Sequence, residues 1–257
     1  MNGLKGQTAL VTGAGGAIGA ETAVGLTKAG ARVVLTSRSA ERLARTNEAV
    51  VEAGGADVRG HVADFRDPGE AHGLVRWILD TVGHIDVLVN NAGANSSGRS
   101  VARTYEDALQ QLVGINVSVP LILCRELIPG MVAHGGGTIV TVSSFAVRSP
   151  GPLGGTAYGA SKAALSSLMA AINVEYRSRG IRACTILPGE VDTPLLAERP
   201  RQPTAEDRAT MIGASDIADA IVFCAAMPSR TLIEEIVVRP TFLRDTSEDV
   251  RVALDEA

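Results

Sequence analysis

Tyr158 and Lys162 stand four residues apart in Tyr158-Gly159-Ala160-Ser161-Lys162, at the start of a stretch with helical patterning, so both side chains project from one helix face. A phenol so placed can pass a proton to or from a substrate oxygen. Its ordinary pKa is ~10, and service near neutrality asks for a shift of about three units, roughly 4 kcal/mol of preferential stabilisation of the phenolate. The Lys162 ammonium, together with a cationic ring bound beside it, is the kind of partner that supplies this. A tyrosine or lysine alone on a helix is ordinarily structural or solvated; the pair acquires meaning from its surroundings.

Those surroundings include a glycine-rich turn. Thr12-Gly13-Ala14-Gly15-Gly16-Ala17-Ile18-Gly19 follows an apolar run of strand length and opens a helical pattern. Glycines let backbone N–H groups approach a pyrophosphate, and a helix N-terminus adds partial positive charge there. Gly13, Gly15, Gly16, Ala17, Ile18 and Gly19 are therefore the candidate cradle of a dinucleotide. At the end of the next strand, where an acid would bind the ribose hydroxyls of NAD, stand Ser37 and Arg38. A carboxylate repels a 2′-phosphate whereas an arginine fork binds it in a bidentate way, so the pattern predicts NADP(H) over NAD(H). Asp64, after the third strand, is placed to accept a hydrogen bond from the adenine amino group. Asn90-Asn91-Ala92-Gly93 follows the fourth and brings Asn90, Ala92 and Gly93 near the cofactor's middle. Asn, Asp and Gly are ordinary turn residues; their recurrence at successive strand ends is the signal.

The elements that must position these residues alternate along the chain. Strand patterns cover residues 8–12, 32–36, 57–62, 86–89, 137–142, 182–187 and 235–238, and helical patterns cover 17–28, 40–51, 68–82, 105–132, 157–179 and 215–227. Alternation of this kind predicts stacked βαβ units with right-handed crossovers. The expected fold is α/β: a doubly wound, Rossmann-type, seven-stranded parallel sheet with helices on both faces, its ligand crevice beyond the C-terminal strand ends. With 257 residues, 46% hydrophobic and 20% charged, one domain over 1–257 is expected. Three prolines and many charges in 194–207 predict a flexible substrate loop, taken as about 194–213. The polar tail 244–257 is either a docked helix or a frayed end.

A net charge of −4 offers no basic field for a nucleic acid. Apolar stretches such as 117–124 are too short for a bilayer, and Met1-Asn2-Gly3-Leu4-Lys5-Gly6 lacks a signal-peptide core, so no membrane partner and a cytoplasmic setting are expected. Cys124, Cys184 and Cys224 are far apart in sequence without a CxxC or a neighbouring histidine, which predicts buried reduced thiols and no metal.

Over residues 7–242 the sequence resembles the short-chain dehydrogenase/reductase family. The resemblance is carried by residues 12–19, Asn90-Asn91-Ala92-Gly93, Asn116, Ser143-Ser144, Tyr158 to Lys162, and Pro188-Gly189 with Thr193. It implies a hydride passing between nicotinamide and a carbonyl or alcohol while Tyr158 moves the proton at the substrate oxygen. Ser144 would hydrogen-bond that oxygen, Lys162 would hold the nicotinamide ribose and lower the Tyr158 pKa, and Asn116 would hold a proton-relay water. Pro188, Gly189, Val191 and Thr193 would meet the carboxamide. Two departures stand out: Ala17 occupies a place where the family usually has glycine, and the loop from Ser144 to Tyr158 is one residue longer than expected, which keeps Ser143 as the alternative to Ser144.

The resemblance places Asn95, Phe145, Val147, Arg148, Leu153, Glu190, Leu195 and Leu196 over the nicotinamide as substrate contacts, with Arg148 either binding a substrate carboxylate or solvated. The segment 231–241 resembles the ending of the NADP-dependent serine and 3-hydroxy acid dehydrogenases, so the expected partner is a small or medium polar carbonyl compound or its alcohol. Two alternatives stay open: reduction of a 3-oxoacyl thioester on a carrier protein, and a non-catalytic NADP(H) sensor or scaffold. The family also implies a homotetramer or homodimer through the helices bearing Asn116 and Tyr158, with Leu165, Leu168, Met169 and Ile172 as contacts unless they pack in the core.

Overall fold

Alternate residues of the first strand point to opposite sides of a sheet, and the two sides bury different helices. In the computed structural model, which describes residues 3–255, strands β1 (Thr8–Thr12), β2 (Arg32–Ser37), β3 (Arg59–Val62), β4 (Val87–Asn90), β5 (Gly137–Val142), β6 (Ile181–Pro188) and β7 (Glu235–Val238) form one parallel sheet in the order β3-β2-β1-β4-β5-β6-β7. Met1, Asn2, Glu256 and Ala257, the outermost residues of the two termini considered above, lie outside the described residues. Chain order reverses between β1 and β4, so the crevice opens beyond their C-terminal ends.

The row Val34, Leu10, Leu88, Ile139, Ala183 runs across five strands in register and faces α3 (Glu70–Thr81), α5 (Val119–Ala133) and α6 (Thr156–Tyr176). On the other face Val11, Val33, Leu35, Val140 and Ile186 pack beneath α1 (Ala17–Lys28), α2 (Ala40–Glu52) and α8 (Ala214–Ala225). Strands buried on both faces need apolar side chains at nearly every position, which is why β1 reads as a continuous run. Emptying one such site, as in Leu10→Ala, costs about 2–5 kcal/mol. Leu165, Met169 and Ile172 belong to this core and Leu168 packs against it; the stripe considered for subunit contact is thus internal packing.

Several element boundaries differ from the pattern. β3 starts at Arg59 because the turn containing Gly54 (φ +97°) extends further, with Asp57 drawn to Arg59. Asp86 stays outside β4 and its carboxylate accepts from the Thr8 amide at 2.7 Å. The expected single helix 105–132 is three pieces: α4 (Glu106–Val113), a π-helical turn (Gly114–Ser118) and α5. Pro120 lacks the N–H that an α-helix would give to the Asn116 carbonyl, and the wider turn at Asn116 accommodates this. By length and composition Glu106–Ala133 could cross a membrane, contrary to the short apolar stretches seen in sequence. Leu123, Leu127 and Met131 on it are core residues under the sheet.

The segment expected as a flexible loop has structure: a 3-10 turn (Pro194–Glu198), a bridge between Val191 and Ile212, and α7 (Ala205–Ala209) with a capping box from Thr204 and Asp207. The tail takes the docked alternative, as helix α9 (Ser247–Asp255) with Asp249 and Ala253 buried. Its anchors are ionic, which hydrophobic periodicity does not register. The three cysteines are free and buried, and Cys184 Sγ lies 3.4 Å from Cys224 Sγ despite their separation in sequence.

Candidate active site

At the end of β1 the chain turns through Gly13 (φ +65°), where a Cβ would lie 2.9 Å from the Ala92 backbone. Asn91 Nδ2 donates to the carbonyls of Thr12 (2.9 Å) and Gly13 (3.2 Å), and Thr12 Oγ1 accepts from the amides of Asn91 and Ala92 at 3.0 Å. These bonds clamp the β1 and β4 turns to one another. Gly16 caps α1 without a side-chain hydrogen bond, and no acidic residue occupies the first turn. The amides of Ala17, Ile18 and Gly19 are thus left without intrahelical acceptors, as an anion cradle requires. A Cβ on Gly19 would collide with the Gly13 carbonyl oxygen, and one on Gly15 would collide with Ser37 Oγ. Ala17, the departure from the family pattern, is simply the first helical residue.

Ser37 is buried at the end of β2 and its Oγ accepts from the Ser39 amide at 3.2 Å, while Ser39 caps α2 through the Arg42 amide. Arg38 and Arg42 are both exposed there, and a Cβ on Gly15 would sit 2.9 Å from Arg42 Cβ. Arg42 is a cation that sequence reading missed; its position three residues after a serine N-cap was the available signal. Asp64, expected to face the adenine amino group, is paired with Arg66. Arg66 Nε donates to its oxygens at 2.9 and 3.1 Å and Arg66 Nη2 also bonds it, and the Arg66 side-chain and backbone hydrogen bonds, with a contribution from nearby Arg38, hold the carboxyl below its usual range. Asn90 also departs from expectation: its side chain is buried toward Thr141 Oγ1 (3.3 Å) and Cys124 Sγ (3.7 Å), away from the crevice. Asn91 takes the turn-building role instead.

Tyr158 lies in the first turns of α6, and its phenol is within hydrogen-bonding reach of the Ser144 hydroxyl. Burial pushes the phenol above its ordinary value, opposed by Ser144 and by the positive charges of Arg99 and Arg199. Lys162 Nζ is 5.7 Å from the Tyr158 ring centre and donates to the Val142 carbonyl at 2.8 Å. Burial lowers Lys162 to about 8. The lysine therefore lies beneath the ring without pairing to its oxygen. A Cβ on Gly93 would come within 3.2 Å of both Lys162 Nζ and Asn116 Oδ1, so a side chain here would press on both groups.

Ser143 and Ser144 diverge. Ser143 Oγ is buried and donates to the Lys162 carbonyl at 3.1 Å, fixing α6 to β5. Ser144 caps the following 3-10 turn and offers its hydroxyl to Tyr158. The geometry favours Ser144 as the substrate-facing serine. Asn116 does not line the cavity; its carboxamide is bonded to both backbone groups of Ala94 and to Ser161. Its side chain is a positioning group.

Tyr158, Lys162 and Ser144 open on a cavity of about 580 Å³, a volume suited to a small ligand and part of a cofactor. Of the residues expected at the cofactor, Ile18, Gly93, Pro188, Gly189, Val191 and Thr193 line it, and of those expected at the substrate, Asn95, Phe145, Leu153, Glu190, Leu195 and Leu196 do so. Arg148 and Val147 are absent from it. Arg148 instead pairs with Glu235 at 2.7 Å with its side chain 58% exposed, because Glu235 at the start of β7 draws it outward. Sequence reading also missed Arg99, Arg199, Arg239 and the tail residues Phe242, Leu243, Arg244 and Val250, all of which reach the cavity. They arrive through tertiary folding of loops that have no local motif.

A family model described as short chain dehydrogenase matches residues 7–204. An uncharacterized oxidoreductase of Staphylococcus saprophyticus is 31% identical over 240 residues, 92% of this chain and 98% of that protein. The 2-(R)-hydroxypropyl-CoM dehydrogenase of Xanthobacter autotrophicus is 33% identical over 228 residues, 85% of this chain and 91% of that one. A solved structure of a metagenomic short-chain oxidoreductase in complex with NADP is 33% identical, covers 94% of this chain and 100% of its own, and superposes with a TM-score of 0.80. A match that spans the glycine turn, the Tyr158 helix and the strands between them makes this chain a member of the short-chain dehydrogenase family of oxidoreductases.

Proposed function

We propose that the protein is an NADP(H)-dependent oxidoreductase that interconverts a small or medium polar carbonyl compound and its secondary alcohol. The observation that carries this reading is the Tyr158 phenol beside Ser144, above a buried Lys162, in the same cavity as Gly93 and Pro188 to Thr193. The residues fit the cofactor. The turn at Gly13 to Gly19 leaves helix amides without acceptors in a space that Cβ atoms would fill, and Arg38 and Arg42 meet the place of a 2′-phosphate where a carboxylate would favour NAD. The related structure with NADP supports the same choice.

When bound, the cofactor supplies or accepts the hydride. In the reductive direction Tyr158 gives its proton to the carbonyl oxygen while Ser144 holds that oxygen, so negative charge does not accumulate on the alkoxide. Lys162 carries a positive charge under the ring and limits the cost of the phenolate left behind. In oxidation the same groups run in reverse.

A cytoplasmic homotetramer or homodimer completes the reading. With Leu165, Met169 and Ile172 taken by the core, the apolar positions left for a subunit contact are Leu109, Val113 and Leu121 on α4 and α5 and Val174 on α6. A monomeric mass by light scattering at micromolar concentration would end that part of it.

The deciding experiment follows NADPH oxidation by absorbance against hydroxy and oxo acids, 3-oxoacyl thioesters, ketones and diketones, for the wild type and Tyr158→Phe. Turnover that the variant abolishes is the expected result. Turnover that survives it rejects Tyr158 as the proton donor.

A further inference from the structure

The cavity wall carries five cationic side chains, Arg99, Lys162, Arg199, Arg239 and Arg244, and among the described residues one carboxylate, Glu190. This local excess runs against a chain whose net charge is −4. Glu190 does not relieve it on the substrate side. Arg199 Nη1 donates to it at 2.7 Å, and Arg244 Nη2 and Nε donate at 2.7 and 3.1 Å, so its charge is consumed within the wall. Lys162 is committed to the Val142 carbonyl.

Arg239 is different. It follows β7 and is exposed, its guanidinium lies 4.1 Å from the centre of the Phe145 ring, and it makes no hydrogen bond or ion pair among the described residues. A guanidinium stacked on an aromatic face keeps its N–H edge available and is held in one plane, which is the geometry for receiving a carboxylate. Phe145 directly follows Ser144, so the fork is tied to the segment that meets the reacting oxygen. Gly189 brings the other side close: a Cβ there would lie 3.4 Å from Arg239 Cα and Cγ.

Accepting that reading of the site, we infer that the substrate is an acid, an oxo or hydroxy carboxylate whose carboxylate is received by Arg239 stacked on Phe145 while its carbonyl or hydroxyl carbon faces Tyr158. Arg99 and Arg199 line the same cavity and their positive charges act on the Tyr158 phenol. The role assigned in sequence to Arg148 thus falls to a residue that lies 91 positions later, on the last strand end.

The test uses the full-length protein saturated with NADPH. Binding of 4-oxopentanoate and of its uncharged methyl ester is measured by calorimetry for the wild type, Arg239→Gln and Arg239→Lys, with NADPH affinity measured separately for each. A charge-assisted hydrogen-bonded contact corresponds to about 10–100-fold in affinity, so the wild type should bind the acid at least about tenfold more tightly than the ester. Arg239→Gln should abolish that preference and Arg239→Lys should keep part of it, with NADPH affinity unchanged in both. Equal binding of acid and ester, no binding of either, or a preference that survives Arg239→Gln overturns the inference. So does a matching loss of NADPH affinity in Arg239→Gln, which would assign the arginine to the cofactor's phosphates. Failure of the wild type to bind NADPH would instead overturn the proposed function.

Discussion

Asn116 Nδ2 donates to Ser161 Oγ at 2.9 Å, and the Ser161 hydroxyl passes its own hydrogen to the Tyr158 carbonyl at 2.8 Å. The π-helical turn is thereby bonded to the helix turn that aims the phenol. The same carboxamide holds the Ala94 amide at 3.0 Å and the Ala94 carbonyl at 3.1 Å. Asn116→Ala would strand these groups and should lower unfolding free energy by about 2–3 kcal/mol. Ser161→Ala, which spares the Ala94 contacts, should cost about 1 kcal/mol. Urea unfolding ranks the two. A larger loss in Ser161→Ala would show that the bond to α6, and not the hold on Ala94, dominates.

The two titrating groups of the site are displaced in opposite senses. Burial lowers Lys162 from 10.5 to about 8, so between those values the unfolded chain binds more protons than the native one. Stability from this group therefore rises with pH across the window and is lowest below it, by up to about 3 kcal/mol for a shift of this size. The unfolding free energy of wild type minus that of Lys162→Met should climb from pH 8 to 10.5. A flat difference would mean that Lys162 is as well hydrated in the native protein as in the unfolded chain and titrates at its ordinary value.

Tyr158 is raised by burial, so in the free protein its phenolate should appear only above the ordinary phenol range. The tyrosinate absorbance difference between wild type and Tyr158→Phe isolates its titration from Tyr105 and Tyr176. Adding NADP⁺, whose ring is cationic, should move that midpoint downward. An unchanged midpoint would leave the phenol without the electrostatic help that the proposed chemistry requires.

What the sequence made legible was the part of the molecule written in local patterns. Apolar runs placed the five central strands, since strands buried on both faces admit few polar residues, the edge strands β3 and β7 followed from the alternation with helical patterns, and the Tyr158, Lys162 and glycine spacings are fixed by single turns of chain. Asn90, Asp64 and Arg148 share one complication: each bonds a partner, Thr141, Arg66 and Glu235 respectively, that competes with the role its local pattern suggests. Two of those partners are distant in sequence. Arg239 was illegible because the loop that brings it to the cavity carries no motif, and α9 was visible only as one of two alternatives because its anchors are ionic. The break at Asn116 was partly visible in Pro120, four residues on.

Arg38 and Arg42 flank the capped start of α2, and Arg38 lies near enough to Asp64 to lower its pKa. Arg38→Asp replaces an arginine fork with a carboxylate at the place of the 2′-phosphate. NADPH affinity should fall by about 10–100-fold, the equivalent of roughly 1.5–3 kcal/mol, while NADH affinity changes little. Arg42→Ala should reduce NADPH binding more modestly. Fluorescence titration with both cofactors decides the matter, and equal losses for NADPH and NADH would remove Arg38 from the 2′-phosphate site.

Arg244 is the tie between the catalytic loops and the C-terminal helix. Its side chain is 5% exposed and bonds Glu190 on one side and Asp249, itself 4% exposed, on the other. Arg201 adds a second bond to Asp249 at 2.9 Å. Removing one member of a buried ionic group leaves its partners desolvated and unpaired, which costs about 3–5 kcal/mol. Arg244→Met should therefore release α9 from the cavity wall, with the sheet core intact because none of its strands contributes to the network. Hydrogen exchange should rise in α9 and 190–213 and stay slow in β1, β4 and β5. Buried charges are screened weakly, so added salt should not reproduce the effect in the wild type. Uniform loss of protection across the sheet would show instead that the network supports the whole domain.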